Sequence, residues 1–404
     1  MVICIDSPIK SANDGGRIAF MYKIATLNKI SPKGLSLLKE NYEITDDAGS
    51  ADAILVRSAD MQEMALGAQT LCVARAGAGV NNIPFERLAD QGVVVFNTPG
   101  ANANAVKELV LAGILMASRN IPEALEWTKT LTEDAAKTVE KGKSKFAGEE
   151  IAGKTLGVVG LGFIGVLVAN AAEALGMHVV GYDPYLSLKA AHDLSPSVKL
   201  FDKLPAMLPH CDYVTIHVPA TSDTNGMFDY DLIETMKNKG VLLNFSRDKL
   251  VDGEGLRRAL SEGKLRSYVT DFPTDDMLGV PGVVLIPHLG ASTEESEENC
   301  AIMAVQEIVD YIENGNILNS VNFPTVQGDK WDQGSRIVVL HKNIPSMLGR
   351  MTGALAEMGV NISNMINKSK GDYSCTLLDC DGAVDEAAIQ ARFKADGIIS
   401  VRIL

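Results

Sequence analysis

The chain has 404 residues, 46% of them hydrophobic, six cysteines and a formal net charge of −14. That length accommodates two or three domains of about 150 residues each. The acidic balance argues against nucleic acid and anionic membrane surfaces as partners. The cysteines are scattered with no C-x-x-C, which fits a reduced, cytoplasmic enzyme and implies no metal site. The longest clean apolar run, Leu109 to Ala117, is too short to span a bilayer.

Residues 1–20 lack the sustained apolar stretch of a signal peptide and are mostly polar after Ile5. They read as a frayed extension or as the product of an upstream start codon, with Met21 opening the first strand-like run. From Met21 to about Ser118, short β-branched runs alternate with helical periodicity. The strand candidates are Ile24–Leu27, Ala53–Val56, Cys72–Arg75 and Val93–Phe96. Such alternation predicts a parallel α/β sheet. The segment 123–154, rich in Lys, Glu and Thr, reads as a solvated connection.

The run Gly160-Leu161-Gly162-Phe163-Ile164-Gly165 follows an apolar strand candidate, Thr155–Val159, and leads into a helical stretch, Val166–Leu175. Phosphate binding needs that geometry. The first glycine allows a tight turn, the second lets backbone approach a pyrophosphate, and the third lets helix and strand pack closely. The next apolar run, His178–Tyr182, ends in Asp183, about 20 residues on. A carboxylate there accepts the adenosine ribose hydroxyls and repels a 2′-phosphate, so the pattern specifies NAD over NADP. Further strands are expected at Tyr213–His217, Gly240–Phe245, Ser267–Asp271 and Gly282–Ile286, then a long helix at Glu294–Glu313 and a linker from Val321 to Asp332. The remaining residues follow a β-α-β-β-α-β order, the ferredoxin-like pattern, with no obvious catalytic group.

A hydride-accepting cofactor needs a base, a cation for the reacting carboxylate and carbonyl, and an acid that orients the base. His288, just past the strand ending at Ile286, is the best-placed base. His217 also ends a strand, in Ile216-His217-Val218-Pro219, and reads equally as a wall of the cofactor site. Arg247, in Asn244-Phe245-Ser246-Arg247, suits a 2-hydroxy-carboxylate through bidentate pairing. A surface arginine at a strand end is the plainer alternative. Asp271 can accept from a nicotinamide carboxamide, and Asp275 or Asp276 can hold a histidine.

These segments together resemble the D-isomer-specific 2-hydroxyacid dehydrogenases over about residues 21–404. The resemblance is carried by Leu55-Val56-Arg57-Ser58, Arg75-Ala76-Gly77-Ala78-Gly79-Val80-Asn81-Asn82, Phe96-Asn97-Thr98-Pro99-Gly100-Ala101-Asn102, the glycine run, His217-Val218-Pro219, Asn244 to Arg247 with Val251-Asp252, and Pro287-His288-Leu289-Gly290-Ala291-Ser292-Thr293. It implies two doubly wound parallel-sheet domains, one flavodoxin-like and one Rossmann, plus a C-terminal ferredoxin-like ACT domain. The expected boundaries are 21–118 with 299–325 for substrate, 119–298 for NAD and 333–404 for the ACT module.

The resemblance further implies Arg247, His288 and an acid as the catalytic set. The acid is usually glutamate. Here the position falls on Asp276, with Asp275 beside it, and the shorter side chain requires a closer loop or a bridging water. The implied NAD site comprises Gly160, Gly162, Phe163, Ile164, Gly165, Asp183, His217, Val218, Pro219, Phe245, Ser246, Asp271 and Gly290. Backbone at Ala78 and Gly79 would cradle a substrate carboxylate. Arg57, Ser58 and Arg75 would take the phosphate of 3-phosphoglycerate, with Lys129 reaching in from a neighbouring subunit of a homodimer or homotetramer. His341 and Asn343 of one chain and Asn361 of its neighbour would hold an L-serine effector. Ser346 stands where serine-sensing members carry glycine, so a module used only for assembly is the alternative. The rival readings are a dehydrogenase for another D-2-hydroxy acid and, in a different class, an NAD(H)-sensing partner-binding protein.

Overall fold

Two parallel sheets and one mainly antiparallel sheet organise the chain, beside a small two-stranded ribbon of Lys10–Ala12 and Ile18–Phe20. In this computed structural model the described residues are Ile3–Cys4, Lys10–Ala12 and Ile18–Leu404, and the expectation for residues 1–20 lies largely outside them. The chain divides into two compact units, Met1–Ala101 with Glu297–Leu404, and Asn102–Ser296.

In the first unit a five-stranded parallel sheet runs in the order Tyr42–Thr45, Tyr22–Thr26, Ala53–Val56, Cys72–Arg75, Val94–Asn97. That is the flavodoxin-like order. The central strands read as near-continuous apolar runs because both of their faces are covered. Ile24, Leu55, Ala74 and Phe96 meet Ala304, Ile308 and Tyr311 of the helix Glu294–Asn314 on one face. Ile54, Val56, Val73 and Val95 meet Leu88 on the other. The edge strand Tyr42–Thr45 carries no apolar run and buries only Tyr42, so it leaves no strand signal in the sequence.

The same unit contains a five-stranded, mainly antiparallel sheet in the order Ile3–Cys4, Ile398–Ile403, Gly334–Lys342, Tyr373–Asp381, Ile362–Lys370, whose first pair is parallel. With helices Met347–Glu357 and Glu386–Arg392 it completes the β-α-β-β-α-β order. Ile337, Val339 and Leu378 face those helices through Leu355, Ile389 and Phe393. The opposite face is covered as well. Val338, Leu340, Cys375, Leu377 and Ile399 merge with Ala304, Val305, Ile308, Tyr311 and Phe323 into one apolar core.

Two arginines of this sheet close the C-terminal end of the helix Glu294–Asn314. Arg402 donates to the carbonyls of Tyr311 and Ile312 and lies 4.5 Å over the Tyr311 ring. Arg336 donates to the Asn314 carbonyl at 3.0 Å while its other nitrogens grip Asp379 at 2.5 and 2.9 Å. Cations satisfy the free carbonyls and the negative dipole end that a helix C-terminus presents.

The second unit is built on seven parallel strands in the order Lys199–Leu200, His178–Tyr182, Thr155–Val159, Tyr213–Ile216, Gly240–Asn244, Leu265–Thr270, Val283–Leu285. Its first six positions follow the dinucleotide-binding order 3-2-1-4-5-6. The helix Ala103–Ser118 belongs to this unit, where the sequence placed it with the first. Val106, Val110 and Ile114 pack among Val158, Leu161 and Ala169, so the break falls at Ala101. The segment read as a solvated connection contains two helices, Ile121–Lys129 and Ala135–Gly142, pinned by Trp127 against Phe146 at 5.3 Å. No helix among the described residues is long and apolar enough to cross a membrane.

Candidate active site

The glycine turn has the geometry its spacing demands. Gly160 has φ +90°, and a Cβ there would lie 2.5 Å from the His217 carbonyl oxygen. At Gly165 a Cβ would fall 1.9 Å from the Gly160 carbonyl oxygen, so the helix Phe163–Ala174 leaves the strand at a distance only glycine permits. At Gly162 a Cβ would meet nothing within 4 Å. The open space at the helix N-terminus, lined by free N–H groups, fits a pyrophosphate. Asp183 accepts from the amides of Leu161 and Tyr185, each at 2.8 Å, which fixes its carboxylate at the end of the second strand. Phe163 is 57% exposed beside the turn, and Ile164 packs on the core below it.

The neighbouring strand ends supply the other wall. His217 Nε2 is 2.9 Å from Thr215 Oγ1, its Nδ1 is buried without a partner, and burial pushes its imidazole down to about 3. It is therefore a neutral side chain, unsuited to carry a proton near neutrality. Val218 abuts the Gly160 turn, and the Pro219 carbonyl accepts from Thr224. Ser246 Oγ donates to the Ile216 carbonyl at 2.8 Å, tying two strand ends together above the buried Phe245. Asp271 is 1% exposed. Its Oδ2 accepts from Gly290 N at 2.8 Å, and its Oδ1 is buried with no partner. Burial raises its pKa. An unsatisfied buried acceptor is costly, and a carboxamide donor of nicotinamide would satisfy it.

Arg247 and His288 converge on Phe272. The His288 ring lies 4.6 Å from that of Phe272, and the Arg247 guanidinium 5.7 Å from it. Asn244 Nδ2 holds the Arg247 carbonyl at 2.7 Å. His288 takes φ +35°, a backbone region rare outside glycine, and its amide donates to the carbonyls of Asp271 and Ile286. Such strain is typical of sites where a side chain must be aimed. Asp276 is held by Arg257, a residue that sequence reasoning did not single out, and its carboxyl is lowered by Thr274 and Arg257. Among the described residues no hydrogen bond joins Asp275 or Asp276 to the His288 side chain. Lys129 lies on an exposed helix and pairs with Glu126 at 2.6 Å.

In the first unit, Arg57 and Arg75 stand at the ends of adjacent strands, paired in register as Val56 with Arg75. Arg75 Nε donates to the Arg57 carbonyl at 3.0 Å. Asn28 accepts from the amides of Arg57, Ser58 and Ala59 at 2.9, 3.0 and 3.0 Å, and Asn82 Nδ2 donates to the Ala59 carbonyl. Asn82 closes the motif Arg75 to Asn82, whereas Asn28 lies in no motif that would have marked it. The Ala78 carbonyl accepts from Asn97, which shapes the Ala78-Gly79 loop.

The C-terminal residues are occupied within their own chain. His341 is 3% exposed, with Nδ1 at 2.8 Å from the Lys342 carbonyl and Nε2 at 2.9 Å from Thr376 Oγ1. Asn343 donates to the Gly371 carbonyl, and Asn361 donates to Asp381. Ser346 has φ +71°, which explains why glycine suits the position. Ser346→Gly should stabilise the chain by roughly 0.5–1 kcal/mol. It relieves about 1–2 kcal/mol of left-handed strain less about 0.4–1 kcal/mol of added unfolded-state entropy. A urea midpoint shifted downward would contradict this.

A Rossmann sheet, a glycine turn shaped for pyrophosphate and an arginine–histidine pair beyond it define an NAD-dependent oxidoreductase. Residues 111–290 match the family model described as D-isomer specific 2-hydroxyacid dehydrogenase, NAD binding domain, and the chain belongs to that family. It is similar to D-3-phosphoglycerate dehydrogenase of Methanocaldococcus jannaschii, 32% identical over 86% of this chain and 67% of the relative. The enzyme of that name from Haemophilus influenzae is 30% identical over 81% of this chain and 79% of the relative. The NAD+-bound 3-phosphoglycerate dehydrogenase structure from Entamoeba histolytica superposes with a TM-score of 0.59 and 26% identity, over 75% of this chain and 99% of that one. The chain spans less than two thirds of the length of another relative, the D-3-phosphoglycerate dehydrogenase of Synechocystis, which it matches at 31% identity over 82% of this chain and 62% of that one.

Proposed function

We propose that the chain oxidises D-3-phosphoglycerate to 3-phosphohydroxypyruvate with NAD, the first step of the phosphorylated route to L-serine, in the cytoplasm. The observation that carries the substrate is the pairing of Arg57 and Arg75 at adjacent strand ends, with Asn28 fixing the backbone beneath. Two guanidinium groups so placed suit a phosphate dianion. Named relatives along most of the chain support the same reading.

NAD, when bound, would supply the hydride acceptor for C2. His288 takes the C2 hydroxyl proton, and Arg247 binds the substrate carboxylate and the carbonyl oxygen that forms. Asp276 is the acid assigned to His288, and it must leave Arg257 or share it to act. Asp271 Oδ1 and the glycine turn would hold the two ends of the cofactor, and the half-buried, neutral His217 would line it. Lys129 would serve a neighbouring subunit in a homodimer or homotetramer.

The C-terminal module reads as an ACT domain. Serine binding there would fall to Asn343 and Asn361, because both ring nitrogens of His341 are engaged. An L-serine titration of activity separates a sensing role from one in assembly alone. Steady-state rates with NAD and 3-phosphoglycerate, D-glycerate or D-lactate test the function. Arg57→Ala should raise the KM for 3-phosphoglycerate at least about tenfold, the loss of a charge-assisted pair, and leave that for D-glycerate unchanged. No turnover of any of the three would end the enzyme reading.

A further inference from the structure

The Arg57 guanidinium already holds an anion. Its Nη1 lies 2.7 Å from Glu297 Oε1, and the two side chains are 37% and 44% exposed. Glu297 stands in the first turn of the helix Glu294–Asn314, whose opening residues include Glu294, Glu295, Glu297 and Glu298. Acids are favourable at a helix N-terminus, so the helix itself accounts for their presence. It does not account for their partners. Glu298 pairs with Lys33 at 2.7 Å, whereas Glu297 takes the arginine whose backbone Asn28 clamps.

An ion pair this exposed is weak, because water screens it and two long side chains must be ordered to make it. It can therefore be exchanged at little cost. The Arg57 backbone stays where Asn28, Asn82 and Arg75 hold it, while the partner of the guanidinium is free to change. A carboxylate carries one negative charge and a phosphate close to two, so a phosphate displaces it and a neutral substrate tail does not.

We propose that Glu297 is a specificity-determining residue. Its carboxylate occupies Arg57 until the substrate phosphate displaces it, an inference that rests on the reading of Arg57 as a phosphate ligand. Binding a phosphorylated substrate is then an exchange of anions. A substrate without the phosphate leaves the pair intact and gains nothing from Arg57.

The test is calorimetric binding of inorganic phosphate to the full chain with NAD saturating, so that the glycine turn is filled, together with KM measurements. Glu297→Gln is nearly isosteric and exposed. It should tighten phosphate binding and lower the KM for 3-phosphoglycerate, each about two- to fivefold, the worth of an exposed pair. The KM for D-glycerate should not move. Glu298→Gln removes the same charge one residue away without freeing Arg57, and should leave both quantities unchanged. Equal phosphate affinity in Glu297→Gln and the parent, or an equal gain from Glu298→Gln, would overturn the proposal. The binding measurement needs no turnover. If 3-phosphoglycerate fails to react, the substrate reading falls and the role of Glu297 is still decided.

Discussion

Gly165→Ala is expected to lower NAD affinity more than about 100-fold, the scale of misplacing a binding element by an ångström. The argument is geometric. The added Cβ would sit 1.9 Å from the Gly160 carbonyl oxygen, and it also closes to 3.3 Å on Val158 Cγ1. The nearer obstacle is backbone, so no rotamer change can relieve it. The helix Phe163–Ala174 must move away from the strand, carrying with it the N–H groups that face the pyrophosphate. Overpacking of this kind also costs about 1–3 kcal/mol of stability. Gly162→Ala provides the contrast. Its Cβ meets no protein atom within 4 Å, so the melting curve should stay within about 0.5 kcal/mol of the parent. NAD affinity should fall nonetheless, because the methyl group would fill space kept for the cofactor. Isothermal titration with NAD beside a urea melt reads both. If Gly165→Ala bound NAD normally, the close approach of helix and strand would not be what forms the site.

His288→Asn should reduce kcat about 10²- to 10⁴-fold, the usual contribution of a positioned acid–base group. Asparagine is the informative replacement because it tolerates the φ of +35° that the position requires. The loop from Ile286 to Gly290 should keep its shape, with the residue 288 amide still donating to the Asp271 carbonyl. NAD affinity should therefore stay within about twofold, since the ring makes no hydrogen bond that holds the loop. A simultaneous collapse of NAD binding would recast His288 as structural. Asp276→Asn should cost less than His288→Asn, because its carboxylate rests on Arg257 and would have to exchange partners to reach the imidazole.

The two sheets were legible where strands are buried on both faces. Ala53–Val56, Cys72–Arg75 and Thr155–Val159 announce themselves as β-branched runs, and the glycine turn is bounded by a strand and a helix in register. The strands Tyr42–Thr45 and Lys199–Leu200 lie at sheet edges, half or fully solvated, and have no such signature. The helical periodicity up to Ser118 reads with the first sheet, whereas the helix Ala103–Ser118 packs in the second unit. An apolar stripe records that a face is buried, not which sheet buries it. Motif residues at strand ends could be named from sequence, whereas their clamps could not. Asn28, Arg257 and Glu297 act through pairings across 19 to 240 positions, and nothing local distinguishes them from surface residues.

The single core shared by the first sheet, the helix Glu294–Asn314 and the second face of the C-terminal sheet changes what can be done with that module. It is not a cassette. Cutting the chain after Gly328 would strip the cover from Ile308, Tyr311, Ile312 and Phe323 and remove both arginines that close the helix end. The remainder would carry a raw apolar surface, prone to self-association, and a rate measured on it would report that injury as much as any lost control. Swapping in a module from another chain faces the same barrier. The graft would have to match this core side chain for side chain, so the tail and the first parallel sheet can be exchanged only as one piece.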